Sequence, residues 1–396
     1  MAENCADRIA LKPSDVTSPD SINIEQNVSL APLTTLKVGG PARFFVRASR
    51  EADVVKAFGF AEGNDLEVFV LGGGSNILVS DAGFDGLVIQ ILLKGKTLSE
   101  PRAIAGDSSL GIRNDRNDPL DTSQPSATAD GSYMVEVAAG AGEDWDAFVE
   151  FCVNRNLAGI ECLSGIPGLV GGTPVQNVGA YGQEVSESIV AVACYDRVSR
   201  EIVELANSDC GFTYRTSIFN STQRDRYVVL GVTYRLTSNG DPKIAYQDLK
   251  DLFGERRPTL NATREAVLKI RRAKSMVIDP NDPNARSAGS FFKNPIVEPK
   301  EFEKIVSASD GHRVPHFPAG ENKVKVPAAW LIERSGFHKG FRCGNAGIST
   351  NHSLALVNLG DASAAEILAL KDKIQAGVRQ KFDILLRPEP VFVGFE

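Results

Sequence analysis

The stretch Gly165-Ile166-Pro167-Gly168-Leu169-Val170-Gly171-Gly172-Thr173-Pro174-Val175-Gln176-Asn177-Val178-Gly179-Ala180-Tyr181-Gly182 limits what this chain can fold into more than any other. It holds six glycines and two prolines in eighteen residues, interleaved with aliphatic side chains and one amide pair. Glycine loses more conformational freedom on folding than any other residue, so a segment serving only a core would avoid so many. The stretch is also too apolar for a flexible linker. What remains is backbone shaped to approach a flat or anionic group closely, with N–H groups turned outward, as in nucleotide-cofactor sites.

A chain of 396 residues can bury a large core and divide into two or three domains. With 42% hydrophobic and 23% charged residues it has the composition of a soluble protein. Its net charge of -7 argues against a broad nucleic-acid footprint while leaving room for a local basic pocket for a phosphorylated small molecule. The cysteines, at 5, 152, 162, 194, 210 and 343, show neither C-x-x-C nor regular spacing. Reduced thiols are expected, with no zinc site, in keeping with a cytoplasmic location. No run reaches the roughly eighteen apolar residues of a membrane span. Residues 1–29 read as a polar leader without the marks of a signal peptide.

Short apolar runs at Leu36–Val46, Glu67–Leu71, Ile77–Val79 and Leu87–Ile89 predict strands, with Ser49 as N-cap of a helix carrying Val54, Val55 and Phe58. The strands stand too close together for repeated βαβ units, so the class is α+β. Residues 99–131, rich in Asp, Ser, Arg and Pro, read as a surface insertion. Glu143 to about Asn154 predicts a helix with Trp145, Phe148, Val149 and Cys152 on one side, and Ser188–Leu205 and Tyr227–Leu236 predict antiparallel strands. A helix bearing Val267, Leu268 and Ile270 is expected within Arg256–Ala273. The last helix opens with a capping box, Ser363 to Glu366, followed by Ile367, Leu370, Ile374 and Val378 at helical spacing.

Several segments carry chemistry. The turn Gly72-Gly73-Gly74-Ser75-Asn76 ends a strand but matches neither the dinucleotide fingerprint nor a P-loop. Two glycine-rich turns, each beside an Asn, suggest one extended cofactor gripped from two sides. Ser290, in Gly289-Ser290-Phe291-Phe292-Lys293-Asn294-Pro295, is not in a nucleophile elbow, and no histidine is close to it in the sequence. His312 and His316 have zincin-like spacing, but Pro315 breaks the helix that a zinc site would need. Arg215, in Tyr214-Arg215-Thr216-Ser217, suits a carboxylate through its forked donors. Glu389 stands between Pro388 and Pro390, which fix its backbone and hold one carboxyl rigidly.

In family order over roughly residues 30–395, these segments resemble the UDP-N-acetylenolpyruvoylglucosamine reductases. Thr35-Leu36-Lys37-Val38-Gly39-Gly40, Leu71–Asn76, Ile166-Pro167-Gly168, Gln176–Gly182, Tyr214–Ser217, Gly289–Pro295 and Leu386–Glu389 carry the resemblance. It implies an α+β fold: a flavin-binding domain of the vanillyl-alcohol-oxidase (PCMH) type in two α/β subdomains over 30–240, and a smaller α+β substrate-binding domain over 241–385. The terminal segment 386–396 would return as a strand to the active site. It implies non-covalent FAD, held by Gly72, Gly73, Gly74, Ser75, Asn76, Ile166, Pro167, Gly168, Gln176, Asn177, Gly179, Ala180 and Tyr181, with NADPH as co-substrate and no metal. The implied substrate is UDP-N-acetylglucosamine enolpyruvate, contacted by Tyr214, Tyr246, Lys274, Asn294, Lys325 and Lys339, with Tyr246 matching the mobile tyrosine loop of one subclass. Arg215 and Glu389 would stabilise charge beside the substrate carboxylate while Ser290 protonates the adjacent carbon. The resemblance implies a cytoplasmic monomer acting on a UDP-sugar, with no nucleic-acid or membrane partner. At His316-Phe317-Pro318 the chain departs from relatives that place a Tyr before the proline, and a phenol contact to the phosphates is lost. A flavin oxidoreductase of the same fold with another substrate, and an idle nucleotide-binding protein, are the competing readings; the trio Arg215, Ser290 and Glu389 argues against the latter, since binding alone needs no acid.

Overall fold

Phe84–Ile91 carries the consecutive buried residues Leu87, Val88 and Ile89, the pattern of a strand covered on both faces. In the computed structural model, which describes residues 22–99, 133–320 and 322–395, this strand lies between Pro41–Ala48 and Val68–Leu71 and parallel to both. Helix α1 (Glu51–Gly63) links the two outer strands, making one βαβ crossover with the third strand inserted. Ser49 does not cap this helix. The cap residue is Arg50, because Asp53 in the first turn reaches back and accepts from the N–H groups of Ser49 (3.1 Å) and Arg50 (2.9 Å). Glu25–Ser29, inside the expected leader, is an antiparallel edge strand on Pro41–Ala48, where Val28 joins a small apolar cluster and Glu25 pairs with Arg47. The expected insertion lies, apart from Ser99, outside the described residues.

A second, antiparallel sheet runs Glu201–Ala206, Ile189–Asp196, Tyr227–Ser238, Tyr133–Gly140 and Lys96–Leu98. The expected strand 188–205 is therefore a hairpin. Helix α2 (Trp145–Val153) starts after Asp144, whose carboxylate accepts from Ala147 N–H at 2.9 Å. Glu143, expected in the helix, lies outside it and holds Gly95 N–H and Lys96. Trp145, Phe148, Val149 and Cys152 are buried in one core with Tyr234 of the second sheet and with Val54 and Phe58 of α1. The two sheets thus share a core through α1 and α2. Tyr234 keeps its buried hydroxyl satisfied against Thr173 Oγ1 at 2.7 Å.

Helices α3 (Gln247–Phe253) and α4 (Leu260–Ala273) follow. Val267 and Ala266 pack with Leu249 and Cys162, and Arg264 forks onto Asp146 of α2 with Nη2 at 3.0 Å. These helices rest on the N-terminal lobe although they follow residue 241. A separate core joins α5 (Pro299–Ser307), α6 (Ala328–Arg334) and α7 (Ala364–Phe382) with the small sheet Arg342–Cys343, Ala346–Ile348 and Leu356–Asn358. The capping box at Ser363 and Glu366 is present, and Ile367, Leu370, Ile374 and Val378 are buried as their spacing predicts. The described cysteines are free, and no helix among the described residues is long and apolar enough to cross a membrane.

Contacts that tie the lobes include a strand pair and a helix cap. Val391–Val393 adds as a parallel strand to Ile77–Val79. Asp81 accepts from the N–H groups of Ala364 (2.7 Å) and Ala365 (3.0 Å), an anion at the N-terminus of α7. Asp81→Ala should lower stability by roughly 1 kcal/mol, read as an earlier urea midpoint at unchanged slope; an unmoved midpoint would show that the second cap contributes nothing.

Candidate active site

The two glycine-rich turns meet. A Cβ on Gly73 would stand 2.8 Å from the Cα of Gly168, so only glycine permits this approach. Gly168 itself has φ 132°. Asn76 Nδ2 donates to Gln176 Oε1 at 2.6 Å, bridging the turns through their amides. The 165–168 turn is fixed from the N-terminus of α2: Asp146 accepts from Gly165 N–H at 2.6 Å, and Gly168 O accepts from Trp145 N–H at 3.1 Å. Gly72, Ser75 and Pro167 belong to these turns, as does Ile166, which packs at the edge of the main core. Gly74 O accepts from Thr35 N–H at 3.0 Å, anchoring the first turn to the Thr35–Gly40 segment.

Further along, Asn177, Tyr181 and Arg215 have φ of 43°, 49° and 54°. Left-handed backbone at a residue with a side chain costs about 1–3 kcal/mol, and such positions cluster at functional sites. Asn177 is buried and its amide is spent inside the protein, donating to Glu184 (2.9 Å) and Thr213 O (3.1 Å) and accepting from Ser186 N–H (3.2 Å). Its backbone is engaged as well, the N–H donating to Pro174 O (3.4 Å) and the carbonyl accepting from Arg215 Nη1 (3.3 Å), so it shapes the loop. Gly179 and Ala180 form a two-residue ribbon with Gln183 and Glu184.

Arg215 is held by this loop, with Nη2 donating to Gly179 O (2.5 Å) and Nη1 to Asn177 O (3.3 Å). Its Nε lies 3.5 Å from Glu389 Oε1. Glu389 is placed by its own backbone, whose N–H donates to Phe291 O at 2.9 Å, next to Ser290; Val391 N–H donates to Asn76 O at 3.0 Å. Burial pushes the Glu389 carboxyl above the usual carboxylate range, against the pull of Arg215 and Lys293. The carboxyl is thus disposed to keep its proton and donate. Ser290 Oγ lies 3.3 Å from His352 Nε2. Sequence proximity offered no histidine for Ser290; the fold supplies one from 62 residues away. Burial first, then Lys274, Lys339 and Arg271, bring His352 down to about 4, with Glu333 opposing.

A second group of candidates gathers around these. Tyr246 is exposed and meets Tyr181 edge-on at 5.4 Å. Lys274 reaches Asp248 at 3.3 Å, and Lys339 is exposed. Tyr214 hydrogen-bonds Asn294 and lies under Lys325 Nζ, 5.0 Å from the ring centroid. Asn294 Oδ1 also accepts from Ala328 N–H at 2.9 Å. His316 stacks on Phe302, and no metal-binding cluster occurs among the described residues. Arg271 went unnoticed in the sequence. It is 7% exposed, it hydrogen-bonds Tyr181 and Met276 O, and its Nε is the buried side-chain nitrogen without a partner among the described residues. A buried guanidinium N–H lacking an acceptor suits an anionic oxygen. Together with the Gly73–Gly168 cradle, it fits a dinucleotide's diphosphate.

Comparison with known proteins agrees. A family model described as "UDP-N-acetylenolpyruvoylglucosamine reductase, C-terminal domain" matches residues 281–393, and one described as "FAD binding domain" matches 130–201. The UDP-N-acetylenolpyruvoylglucosamine reductase of Thermobifida fusca is 43% identical over 93% of this chain and 98% of that protein. That of Streptomyces coelicolor is 42% identical over 92% and 89%. The crystal structure of the UDP-N-acetylenolpyruvylglucosamine reductase from Thermus caldophilus shares the fold, with a TM-score of 0.58 at 24% identity over 94% of this chain and all of that one.

Two outcomes are expected. Gly73→Ala forces a Cβ against backbone, an overpacking of about 1–3 kcal/mol, and should weaken flavin retention roughly tenfold, read as flavin absorbance per polypeptide; full retention would remove the cradle from the site. A carboxyl with a raised folded pKa keeps its proton where the unfolded chain has lost it. Its stabilisation is full below the unfolded value and is lost as pH rises through the folded one. Stability should therefore fall across that window in the natural protein, and Glu389→Gln should flatten the fall in urea titrations; identical pH profiles would contradict the assignment.

Proposed function

The chain belongs to the UDP-N-acetylenolpyruvoylglucosamine reductase family, and we propose that it reduces UDP-N-acetylglucosamine enolpyruvate to UDP-N-acetylmuramate with electrons from NADPH. It is an FAD-dependent oxidoreductase of peptidoglycan precursor synthesis. The observation that carries the chemical reading is the pairing of a guanidinium with a mostly buried carboxyl from segments far apart in the chain, Arg215 and Glu389, on backbone that bonds to the residue following Ser290.

A flavin held by the glycine-rich turns would supply the hydride for the terminal carbon of the enolpyruvyl group. Negative charge then develops on the neighbouring carbon and spreads into its carboxylate. Arg215, fixed on two backbone carbonyls, holds positive charge with no reorganisation at the moment of reaction. Glu389 in its protonated form adds a hydrogen bond to the same anion rather than repelling it. Removing one such donor costs about 3–4 kcal/mol in comparable sites. Ser290 Oγ–H delivers the proton to the carbon, a role worth ~10²–10⁴-fold.

Gly72, Gly73, Gly74, Ser75, Asn76, Ile166, Pro167, Gly168, Gln176, Gly179, Ala180 and Tyr181 hold the FAD in this reading, on a loop whose shape Asn177 fixes, and Arg271 contributes the donor without a partner. The nucleotide of the substrate falls to Tyr246, Lys274, Asn294, Lys325 and Lys339, with Tyr214 a further substrate contact. Tyr246 is exposed and free to close over the nucleotide. Free, mostly buried thiols agree with work in the cytoplasm.

The purified protein should be yellow and should oxidise NADPH only when UDP-N-acetylglucosamine enolpyruvate is present, followed by nicotinamide absorbance. Equal oxidation with and without the UDP-sugar would sink the substrate assignment.

A further inference from the structure

We infer that His352 is a positioning residue for the proton-transfer step: its Nε2–H donates to Ser290 Oγ, aims the serine hydroxyl proton at the substrate carbon, and steadies the oxygen as that proton leaves. The inference rests on the reading of Ser290 as the acid.

Serine is a poor acid, and a hydroxyl free to rotate would present its proton in several directions. Among the described residues Oγ has one side-chain partner, His352 Nε2 at 3.3 Å. Both backbones are fixed relative to each other. Phe291 N–H donates to Leu354 O at 2.7 Å, Ala355 N–H closes a turn onto His352 O at 3.1 Å, and Asn351 Nδ2 donates to Ser275 Oγ at 2.8 Å. The ring is buried and stands among Lys274, Lys339 and Arg271, with Glu333 opposing them; burial first and these cations second keep the imidazole uncharged near neutral pH, with one ring N–H.

The two tautomers make opposite enzymes. A bare Nε2 would accept the serine proton and prepare Oγ as a nucleophile, the arrangement of serine hydrolases. A protonated Nε2 leaves the serine O–H free to donate elsewhere. Ser290 as an acid therefore requires the second. In the step itself, the Ser290 O–H bond breaks and a C–H bond forms on the carbon bearing the carboxylate. The electron pair of the former O–H bond stays on Oγ, where the Nε2–H hydrogen bond becomes charge-assisted and strengthens. Solvent water then restores the hydroxyl.

The tautomer can be read directly. The chain has only four histidines, so ¹⁵N NMR of the histidine-labelled holoenzyme, assigned by loss of one signal set in His352→Gln, should show Nε2 protonated and Nδ1 bare at neutral pH. The reverse pattern would overturn the inference. Rapid mixing supplies the kinetic arm. Reduction of the flavin by NADPH should be unchanged in His352→Ala, while reoxidation by the UDP-sugar should slow roughly 10²-fold, as for loss of one donor to developing charge. His352→Gln keeps an N–H near the Nε2 position and should recover most of the rate. If His352 acts through Ser290, the Ser290→Ala/His352→Ala double variant should be no slower than Ser290→Ala alone. Additive losses, or equal losses in the Ala and Gln variants at unchanged substrate affinity, would contradict the positioning role. Should His352→Ala fail to fold, the Gln variant and the NMR result decide. Ser290→Ala reoxidising at the natural rate would remove the acid reading itself; a slow Ser290→Ala beside a fast His352→Ala would remove only the inference.

Discussion

The contact between Gly73 and Gly168 is the constraint on which the rest of the site depends. It brings together a turn at the end of a parallel strand and a turn that follows α2 and is bonded to that helix's N-terminus. At Gly73 the approach is backbone to backbone, and the small Ser75 side chain fills the space beside Gly168. The amide bridge from Asn76 to Gln176 then locks their register. Asp146 serves both this contact and the lobe behind it, holding Gly165 on one side and Arg264 of α4 on the other. That ties the cradle to the helix carrying Arg271.

The reacting groups inherit their positions from that frame. Arg215 hangs from the carbonyls that follow the second glycine turn, on backbone held in a left-handed conformation. Glu389 arrives from the other end of the chain, because Val391–Val393 completes a strand pair with the residues just after the first glycine turn. Its N–H meets the carbonyl beside Ser290, so the terminal segment stitches the smaller core to the cradle at the point where the chemistry is proposed. The chain as a whole is anionic, yet Arg271, Lys274 and Lys339 all act on His352 beside Ser290. A phosphorylated substrate would find its counter-charges there without a basic surface elsewhere.

Much of this was legible in the sequence where a local signal existed. Runs of glycine announced the two turns, Ser363 and Glu366 announced α7, and flanking prolines announced a fixed Glu389. Elements whose geometry depends on a distant partner were not legible. Glu25–Ser29 looks like a polar leader because an edge strand buries only part of one face, and its pairing is supplied by Pro41–Ala48. Ser49 was the better cap by residue type, but Asp53 one turn on had the longer reach. Asn177 stood in the right loop with the right chemistry, and only tertiary structure shows its amide turned to Glu184. His352 carries no motif that joins it to Ser290. Arg271 looks like any basic residue in the last turn of a helix until its burial is seen.

A crystal structure of the flavin-loaded protein tests the central claim most directly. The cofactor's diphosphate is expected against the Gly73–Gly168 face, its oxygens within about 2.7–3.2 Å of backbone N–H groups there, with Arg215 and Glu389 still paired beside the ring system. A diphosphate bound elsewhere, with the two glycine turns touching only each other, would contradict it.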